Sequence, residues 1–332
     1  PGISFRDKDS IRVTPSRPFI DDLDSIPFPA WDLVDLQEYK GYSFKKASRE
    51  TCIVSARGCP FNCVFCSNPV WKSSKPWLRR RSPRNVANEI YYLYSEHGVR
   101  EFYDWADEFN CVLPWSVEVC EEIEKLELKD AYFKYQLRAD KMSEEFANKL
   151  KRIGCWYVEL GIESGNQRTL DGVLKRITLE QVVRTCTILK RNGIKVLGFF
   201  MIFNVWEEEG KLMFETPEMC EITFRFAKEL LSKKLIDYMS WSITTPMPGS
   251  QLFDIAQRHG LISDTDGLQF NADYLTMKLP GISEKEISRI KRKGIATQIV
   301  STLRAGDVNL GNIEPFVRKL KALIYHWFRA LR

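Results

Sequence analysis

Three cysteines share one short stretch of the 332-residue chain, Ala56-Arg-Gly-Cys59-Pro-Phe-Asn-Cys63-Val-Phe-Cys66-Ser-Asn-Pro69. A glycine and a β-rich run precede them, so the three thiols are predicted to lie on one loop. Thiolates are metal ligands, and three on one loop predict a metal site. A structural zinc site needs four protein ligands, but the next histidine, His97, lies in a separate helical pattern, and ferredoxin loops likewise supply four cysteines. Three ligands on a cluster of four irons would leave one iron open to chelate a small molecule.

A repeating pattern of strands and helices begins at this stretch. Ser82-Pro83 provides an N-cap followed by proline at the first helical position, and Gly98 ends that helix. Later helices end in the same way at Gly154 and Gly193. Six strands that alternate with helices of this length predict an α/β fold, a partial (β/α)6 barrel with a helical C-terminal extension. The predicted strands are residues 52–56, 101–105, 132–137, 156–161, 195–202 and 238–244.

The two ends of the chain have other patterns. The first residues lack a clear period and carry a proline-rich, acidic stretch, residues 18–31, which is typical of a linker. Because the chain opens at Pro1 without a leader, we expect a further domain to precede it. After residue 262 the strand pattern fades, and helices are predicted over 283–303 and 313–331. The predicted division is a linker over 1–48, a barrel over 49–262 and a helical extension over 263–332.

Composition narrows the class of protein. Hydrophobic residues make up 44% of the chain and charged residues 28%, a balance typical of a globular protein with a sizeable core. The longest apolar run, residues 194–206, contains Lys195 and Asn204 and is too short to cross a bilayer as a helix. Nine cysteines is an odd number, and six of them are scattered singly, which does not fit a disulfide framework. We therefore expect a reducing, cytoplasmic location.

Two segments are candidates for surface contacts. A basic run over 72–84 contains six Lys and Arg residues and no acidic one, although the net charge of +5 does not by itself indicate nucleic acid. It is open to three interpretations: a solvated loop and helix start, an attraction for an anionic substrate, or a contact with nucleic acid. The predicted helix 313–331 carries one apolar stripe, which either packs on its own domain or meets a membrane surface or a partner.

The CxxxCxxC spacing, with Phe65 directly before the third cysteine, resembles the signature of the radical S-adenosylmethionine (SAM) superfamily. The resemblance implies a 4Fe-4S cluster held by Cys59, Cys63 and Cys66, whose open iron binds the amino and carboxylate groups of SAM. It also implies that one electron, from a donor such as flavodoxin or ferredoxin, cleaves SAM to methionine and a 5′-deoxyadenosyl radical. That radical removes a hydrogen atom from the substrate, so the chain is expected to be an enzyme.

Polar residues follow the predicted second strand, as expected if working residues sit at the C-terminal ends of barrel strands. The sequence there is Asp104-Trp-Ala-Asp107-Glu108, where the family places a short acidic motif that holds the amino group of SAM. Cobalamin-type members commonly show paired aspartates, and Ala106 occupies the first of those positions. The resemblance therefore leaves two candidates for this role, Asp107 and Glu108, and the alternative is a solvated strand end.

Residues after the third and fourth predicted strands resemble the family segments that bind the carboxylate and ribose of SAM. They are Arg138, Glu163, Ser164 and Lys175. Arginine can bind a carboxylate through two N–H groups, whereas lysine acts as a point charge. The alternative for Arg138 is a buried structural ion pair with Asp140 or Glu163. No catalytic side chain is assigned by the resemblance.

The first residues also resemble a junction between a cobalamin-binding domain and the barrel, as found in cobalamin-dependent members of the superfamily. The resemblance lies in residues 1–7 and 18–33. It implies cobalamin as a further cofactor, carried by a domain outside this chain, since the chain itself has no Asp-x-His-x-x-Gly motif. One stretch departs from the family: residues 201–210 replace the usual glycine-rich turn after the fifth strand, and we expect Phe203 and Trp206 to shape a substrate pocket.

Three functions remain open. The first is a radical SAM enzyme for cobalamin-assisted C-methylation, or a related modification, of a small molecule or lipid. The second is a tRNA methylthiotransferase, which the basic run favours and the helical tail disfavours, because that class ends in an RNA-binding barrel of strands. The third is a noncatalytic iron-sulfur or zinc module that binds nucleic acid. We expect the first, with a membrane surface as a candidate contact of the C-terminal helix and without nucleic acid as a partner.

Overall fold

The computed structural model describes residues 1–39, 44–72, 74–262 and 275–304, together with Lys321. The strands within these residues are β1 (Ser4–Asp7), β2 (Ser10–Val13), β3 (Glu50–Ile53), β4 (Ala56–Arg57), β5 (Arg79–Arg80), β6 (Glu101–Asp104), β7 (Tyr132–Leu137), β8 (Cys155–Glu163), β9 (Lys195–Ile202), β10 (Val205–Glu208), β11 (Lys211–Phe214) and β12 (Tyr238–Ile243). The α-helices are α1 (Pro83–Glu96), α2 (Leu113–Glu124), α3 (Glu144–Arg152), α4 (Gln167–Gly172), α5 (Leu179–Arg191), α6 (Pro217–Ser232), α7 (Gln251–Arg258) and α8 (Glu284–Arg304).

Six of the strands form one parallel sheet, in the order β12-β9-β8-β7-β6-β3. These strands follow one another in the sheet as they do in the chain, and at least one helix joins each to the next. The arrangement confirms the predicted fold class, a partial (β/α)6 barrel. The C-terminal ends of all six strands lie at the same edge of the sheet, which is where barrel enzymes place their sites.

The predicted strand boundaries agree closely with the structure except at the first strand. β7 and β9 span the predicted residues, 132–137 and 195–202. β3 instead begins earlier and ends at Ile53, because the chain turns at Ser55. The backbone N–H and the hydroxyl of Ser55 both donate to the carboxylate of Asp104 at the end of β6. That turn sends the next residues, β4, into a two-stranded antiparallel ribbon with β5.

The predicted start and stop of the first helix are confirmed in α1. The Oγ atom of Ser82 accepts a hydrogen bond from the N–H of Asn85, and Pro83 occupies the first turn. Gly98 follows the helix with a φ of +63°, a left-handed conformation that glycine adopts without strain. The inner face of α1 packs on the sheet and buries Ile90 completely.

The leading segment contains a hairpin that the sequence does not predict. Within residues 1–48, for which a linker is predicted, β1 and β2 pair as an antiparallel hairpin that places Ser4 opposite Val13. The side chains of both strands are almost all exposed. A hairpin without a buried face lacks the apolar alternation that would reveal it in a sequence. Further along, Trp31 donates from Nε1 to Glu89 of α1 at 3.0 Å, which fastens the segment to the barrel.

The C-terminal region is described in part. α8 lies where a helix is predicted over 283–303, and it packs against α6 and β12. The second predicted helix, 313–331, lies outside the described residues apart from Lys321. Among the residues with a described position, no helix combines the length and the apolar character needed to cross a membrane.

The faces of β8 separate the barrel interior from the helical layer. Val158, Leu160 and Ile162 are fully buried in the core between sheet and helices. Glu159 and Gly161, which alternate with them, line a cavity on the inner side. This alternation follows from the two-residue period of a strand.

The N-terminal end of the interior is closed by buried charges. The ammonium group of Lys134 contacts the carboxylates of Glu50 and Glu101, 3.1 Å from the second, and donates to the carbonyl oxygen of Phe44 at 2.9 Å. Glu101 also accepts a hydrogen bond of 3.0 Å from Nε1 of Trp156. Removing one member of such a group leaves the remaining charges buried without compensation, which is strongly destabilising.

We predict that Lys134→Met lowers the free energy of unfolding by about 3–5 kcal/mol, because two carboxylates would remain buried without their cation. As a matched control, Lys233→Met removes the exposed pair between Lys233 and Glu229 on α6. It should cost less than about 1 kcal/mol. Urea unfolding followed by circular dichroism measures both losses, and equal values would contradict this assignment.

Candidate functional site

One cavity of about 280 Å³ opens at the C-terminal ends of the sheet strands. All the residues predicted for the site line it, with the exception of Ser164. Those lining it are Cys59, Cys63, Cys66, Asp107, Glu108, Arg138, Glu163 and Lys175. Residues from the cysteine loop and from the ends of three sheet strands therefore meet in one space.

The cysteine loop is fixed where it leaves β4. The N–H of Gly58 donates to Oδ2 of Asp107 at 2.5 Å, and Gly58 has a φ of +89°, which favours glycine. A Cβ atom at this position would lie 2.1 Å from the carbonyl oxygen of Trp77, so a larger residue would displace the backbone. Farther along the loop, the N–H of Val64 donates to the carbonyl oxygen of Val173 at 2.9 Å. The loop is thus tied to β6 on one side and to the end of α4 on the other.

Polar side chains hold the interior of the loop. Asn68 donates from Nδ2 to the carbonyl oxygen of Cys59 at 3.2 Å, and its N–H donates to Sγ of Cys66 at 3.4 Å. Lys72 donates from Nζ to the carbonyl oxygen of Phe61 at 2.7 Å. These bonds satisfy loop carbonyl groups that would otherwise lack partners.

Burial suppresses the ionisation of the three thiols. It raises the pKa of Cys59 to about 12, and it raises the pKa of Cys63 and of Cys66 as well. Lys175 and Arg138 act in the opposite direction on Cys63. Burial therefore favours the neutral thiols in the protein alone, and metal binding would deprotonate them because cysteine binds metals as the thiolate. Within the part of the chain that the structure describes, no three His, Cys, Asp or Glu side chains are assembled as a site for a single metal ion.

The two acidic candidates that follow β6 have different contacts. Asp107 accepts the hydrogen bond from Gly58 and so helps to fix the loop. Glu108 lines the cavity, and its Oε1 atom is buried without a hydrogen-bond partner among the described residues. Burial raises the pKa of Glu108 to about 7, with Lys175 and Arg138 opposing the shift. A buried acceptor of this kind fits a ligand that brings a donor.

Glu163 and Lys175 form a buried pair across the cavity wall. Their Oε1 and Nζ atoms lie 2.7 Å apart. Gly161 leaves the space for this pair, because a Cβ atom there would lie 2.6 Å from the carboxylate and 2.7 Å from the ammonium group. Glu163 itself has a φ of +67°, an uncommon conformation for a residue with a side chain. Backbone strain of this kind concentrates at functional sites.

Arg138 is held on several sides. It donates from Nε to Asp140 at 2.9 Å and from Nη2 to the carbonyl oxygen of Lys175 at 2.7 Å. Its guanidinium carbon lies 3.5 Å from the ring centre of Phe61, which is on the cysteine loop. The structure therefore contains the ion pair with Asp140 that the sequence left as an alternative. Arg138 also lines the cavity, so its position is compatible with a ligand contact.

Ser164 lies outside the cavity. Its hydroxyl group donates to Oε1 of Glu215 at 3.0 Å and lies 2.9 Å from Oγ1 of Thr223 on α6. Glu215 in turn accepts hydrogen bonds from the backbone and side chain of Asn204, each of 3.0 Å. Ser164 is thus part of a buried polar network that joins the end of β8 to α6.

Phe203 and Trp206 do not shape the pocket, which corrects the expectation from the sequence. Both are buried in a second core between the sheet and the C-terminal elements. The indole of Trp206 packs so closely on α4 that a Cβ atom on Gly172 would lie 2.4 Å from it. The physical reason is that both residues follow the end of β9: Phe203 precedes β10, and Trp206 lies on β10, whose hairpin with β11 is separate from the six-stranded sheet.

The inner wall of the cavity includes residues that the sequence reasoning missed. Gln136, Glu159 and Phe199 line it. Glu159 accepts a hydrogen bond from the hydroxyl of Tyr103, and Gln136 donates to the same hydroxyl at 2.9 Å. Burial raises the pKa of Glu159. Polar residues at alternate positions of otherwise apolar strands were the signal that could have identified them.

Comparison with known proteins gives this site a context. Residues 53–215 match the family model of the radical SAM superfamily. An uncharacterized methyltransferase of Pyrococcus horikoshii is 32% identical over 294 residues, which cover 88% of this chain and 60% of the relative. The anaerobic magnesium-protoporphyrin IX monomethyl ester cyclase of Rubrivivax gelatinosus is 33% identical over 256 residues, which cover 76% of this chain and 42% of the relative. The chain thus spans less than two thirds of either relative.

A solved structure is similar over almost the whole chain. It is that of OxsB, a cobalamin-dependent SAM radical enzyme with aqua-cobalamin and SAM bound. The TM-score is 0.66 and the identity 16%, over 98% of this chain and 52% of that one. At this identity the likeness concerns the fold, which is the same type of barrel.

We predict that Gly58→Ala lowers the iron bound per chain after anaerobic reconstitution, because its Cβ atom would push the loop away from the carbonyl oxygen of Trp77. Gly210→Ala is the matched control, since Gly210 also has a positive φ, +76°, but an added Cβ atom there would meet nothing within 4 Å. Colorimetric iron analysis and thermal unfolding measure the two variants. Full iron binding by Gly58→Ala would show that the loop tolerates the displacement.

Proposed function

This chain carries a radical SAM domain, and we propose that it cleaves SAM reductively at a 4Fe-4S cluster held by Cys59, Cys63 and Cys66. The observation that carries the proposal is that the three thiols share one cavity with buried acidic and basic side chains from several strand ends. When bound, the cluster and SAM supply a 5′-deoxyadenosyl radical that removes a hydrogen atom from the substrate. The protein's own residues bind, orient and shield these groups.

The donor set fits such a cluster. Three thiols on one loop offer three ligands, and a bound metal group would stabilise them as thiolates. Iron-sulfur clusters take cysteine thiolates as ligands, so three thiolates would leave one of four irons for a further ligand. The unpartnered Oε1 atom of Glu108 lies in the wall of the same cavity.

We assign different roles to the two acidic residues after β6. Asp107 is a positioning residue, because it binds the backbone of the cysteine loop at Gly58. Glu108 is the binding residue for the amino group of SAM, because it offers a buried acceptor that the described protein groups leave unpaired. Lys175 and Arg138 provide positive charge for the SAM carboxylate, and Glu163 holds Lys175 in place.

The overall reaction that we propose is cobalamin-assisted C-methylation, or a related modification, of a small-molecule or lipid substrate. The names of the relatives support it, since one is a methyltransferase and one a cyclase of a magnesium porphyrin ester. The cobalamin-dependent enzyme OxsB shares the barrel. We further propose that residues 1–48 form a linker to a cobalamin-binding domain, that 49–262 form the barrel and that 263–332 form a helical extension.

The decisive experiment is an anaerobic assay for 5′-deoxyadenosine after cluster reconstitution, with dithionite and SAM. The proposal predicts this product and methionine in equal amounts. Absence of the product from protein that holds about four irons per chain would contradict it. A second experiment adds cobalamin and examines candidate acceptors for a new methyl group by mass spectrometry, which tests the proposed cobalamin-assisted methylation.

We predict that Cys63→Ser abolishes the brown iron-sulfur absorption and the formation of 5′-deoxyadenosine, because a ligand thiolate is lost. Cys111→Ser is a stringent control, since Cys111 is half-buried and close enough for its charge to act on Cys59, yet it does not line the cavity. Cys120→Ala, in the core, is a second control. Equal loss of absorption in all three variants would mean that the ligand assignment is wrong.

A fourth prediction separates the two acidic residues. Glu108→Gln should weaken SAM binding by about 1.5–3 kcal/mol, the range for a hydrogen bond to a charged group, with iron content unchanged. Asp107→Asn should lower iron content, while the molecules that keep a cluster bind SAM normally. Isothermal titration of SAM into reconstituted protein, alongside iron analysis, reads out both. The reverse pattern would exchange the two roles.

A further inference from the structure

A basic ribbon lies where the chain enters and leaves the cysteine loop. We define the basic ribbon as Arg57 on β4, Arg79 and Arg80 on β5, and Lys75 in the segment that precedes β5. We propose that this basic ribbon is the docking surface for an acidic one-electron donor protein that carries a flavin or an iron-sulfur cluster. The inference rests on the proposed function, because a reductive cleavage of SAM requires an electron from outside the chain.

The ribbon gathers like charges on neighbouring residues. In the antiparallel register, Arg57 lies directly opposite Arg79, and like charges in such positions are destabilising. Arg57, Arg80 and Lys75 are exposed, and no ion pair joins any ribbon residue to a carboxylate within the described parts of the chain. Arg79 is half-buried and donates from Nη1 to the carbonyl oxygen of Ile20 at 2.9 Å. Burial and the charge of Arg57 lower the pKa of Arg79, and the charge of Asp21 opposes that shift. Electrostatic repulsion that lowers the stability of the fold is expected where the charges serve to contact a partner.

Of the other basic residues in the run over 72–84, Lys72 and Arg81 serve the fold, whereas Arg84 is exposed in the first turn of α1. Lys72 donates to the carbonyl oxygen of Phe61 and to the side chain of Asn62. Arg81 is buried and pairs with Glu89 of α1. The exposed positive charge of the basic ribbon therefore forms a compact patch and not an extended stripe. A protein that makes about 6–10 phosphate contacts binds nucleic acid with a steep salt dependence, and the four charges of the ribbon offer fewer contacts than that.

The position of the ribbon connects it to the proposed cluster. β4 and β5 are the two ends of the segment that contains all three cysteines, and Arg57 is separated from Cys59 only by Gly58. Gly58 packs against the carbonyl oxygen of Trp77, just before β5. A donor seated on the ribbon would therefore lie beside the ligand loop.

The redox step is a simple transfer. One electron leaves the donor, which is oxidised by one electron, and reaches the cluster, which is reduced by one electron; no bond forms or breaks in that step. Positive charge at the site of entry steers an acidic donor and raises the association rate, and the effect falls with ionic strength. Small reductants such as dithionite do not need a protein docking surface.

The test compares two electron sources in reconstituted protein. The variant is Arg57→Gln/Arg80→Gln, and the control is Lys211→Gln/Arg225→Gln, which removes the same charge from exposed positions on β11 and α6. The rate of 5′-deoxyadenosine formation is measured with reduced flavodoxin as the probe and, separately, with saturating dithionite. Arg57→Glu/Arg80→Glu serves as a stronger second variant, and thermal unfolding confirms that all variants fold.

We expect the ribbon variant to raise the apparent KM for flavodoxin about tenfold at low salt, with an unchanged rate in dithionite and a weaker salt dependence. The control pair should behave as wild type. An unchanged flavodoxin dependence in both ribbon variants would overturn the proposal. So would a loss of affinity for single-stranded RNA without any change in flavodoxin kinetics, which would assign the ribbon to nucleic acid. Failure of the proposed function itself is distinguishable, because wild-type protein would then give no product even with dithionite.

Discussion

The cysteine loop depends on two carboxylates at the end of β6. Asp104 binds the backbone and hydroxyl of Ser55, and Asp107 binds the N–H of Gly58. These bonds end the first strand of the sheet and turn the chain into the ribbon of β4 and β5. They also fix the position of the cysteine loop relative to the sheet. Burial raises the pKa of Asp104 to about 6, and its three hydrogen-bond donors oppose that shift. The thiols lie on the inner side of this loop, facing the ends of β7 and β8.

The cavity brings this loop together with buried charged side chains. Most of these side chains are paired with other protein groups, and one acceptor is left for a ligand. Glu163 and Lys175 satisfy one another, and Arg138 is held by Asp140 and by a backbone carbonyl group. Glu108 is the exception, since its Oε1 atom has no partner within the described residues. Beyond these groups, Glu159 makes the inner wall of the cavity polar. The same scaffold thus accounts for the proposed cofactor site, while a substrate would be selected by the residues that line the inner wall.

The sequence predicted the architecture well, because a buried parallel sheet imposes regular apolar runs and α1 carries its own start and stop signals. The cysteine spacing is likewise a local sequence signal, and it identified residues that the structure brings together. Other features depend on tertiary contacts that leave no local pattern. The hairpin of β1 and β2 has no buried face, and Phe203 and Trp206 pack in a second core that residues far apart in the sequence assemble. Likewise, Asp107 and Glu108 are adjacent in sequence, and only their partners distinguish them.

We propose that Cys59, Cys63 and Cys66 hold a cluster with one iron open to SAM. The electron paramagnetic resonance spectrum of the reduced, reconstituted protein, recorded with and without SAM, tests this directly. We expect a four-iron cluster signal whose g-values change when SAM binds, with a weaker change in Glu108→Gln at the same SAM concentration. A cluster spectrum that SAM leaves unchanged at saturating concentration would contradict it.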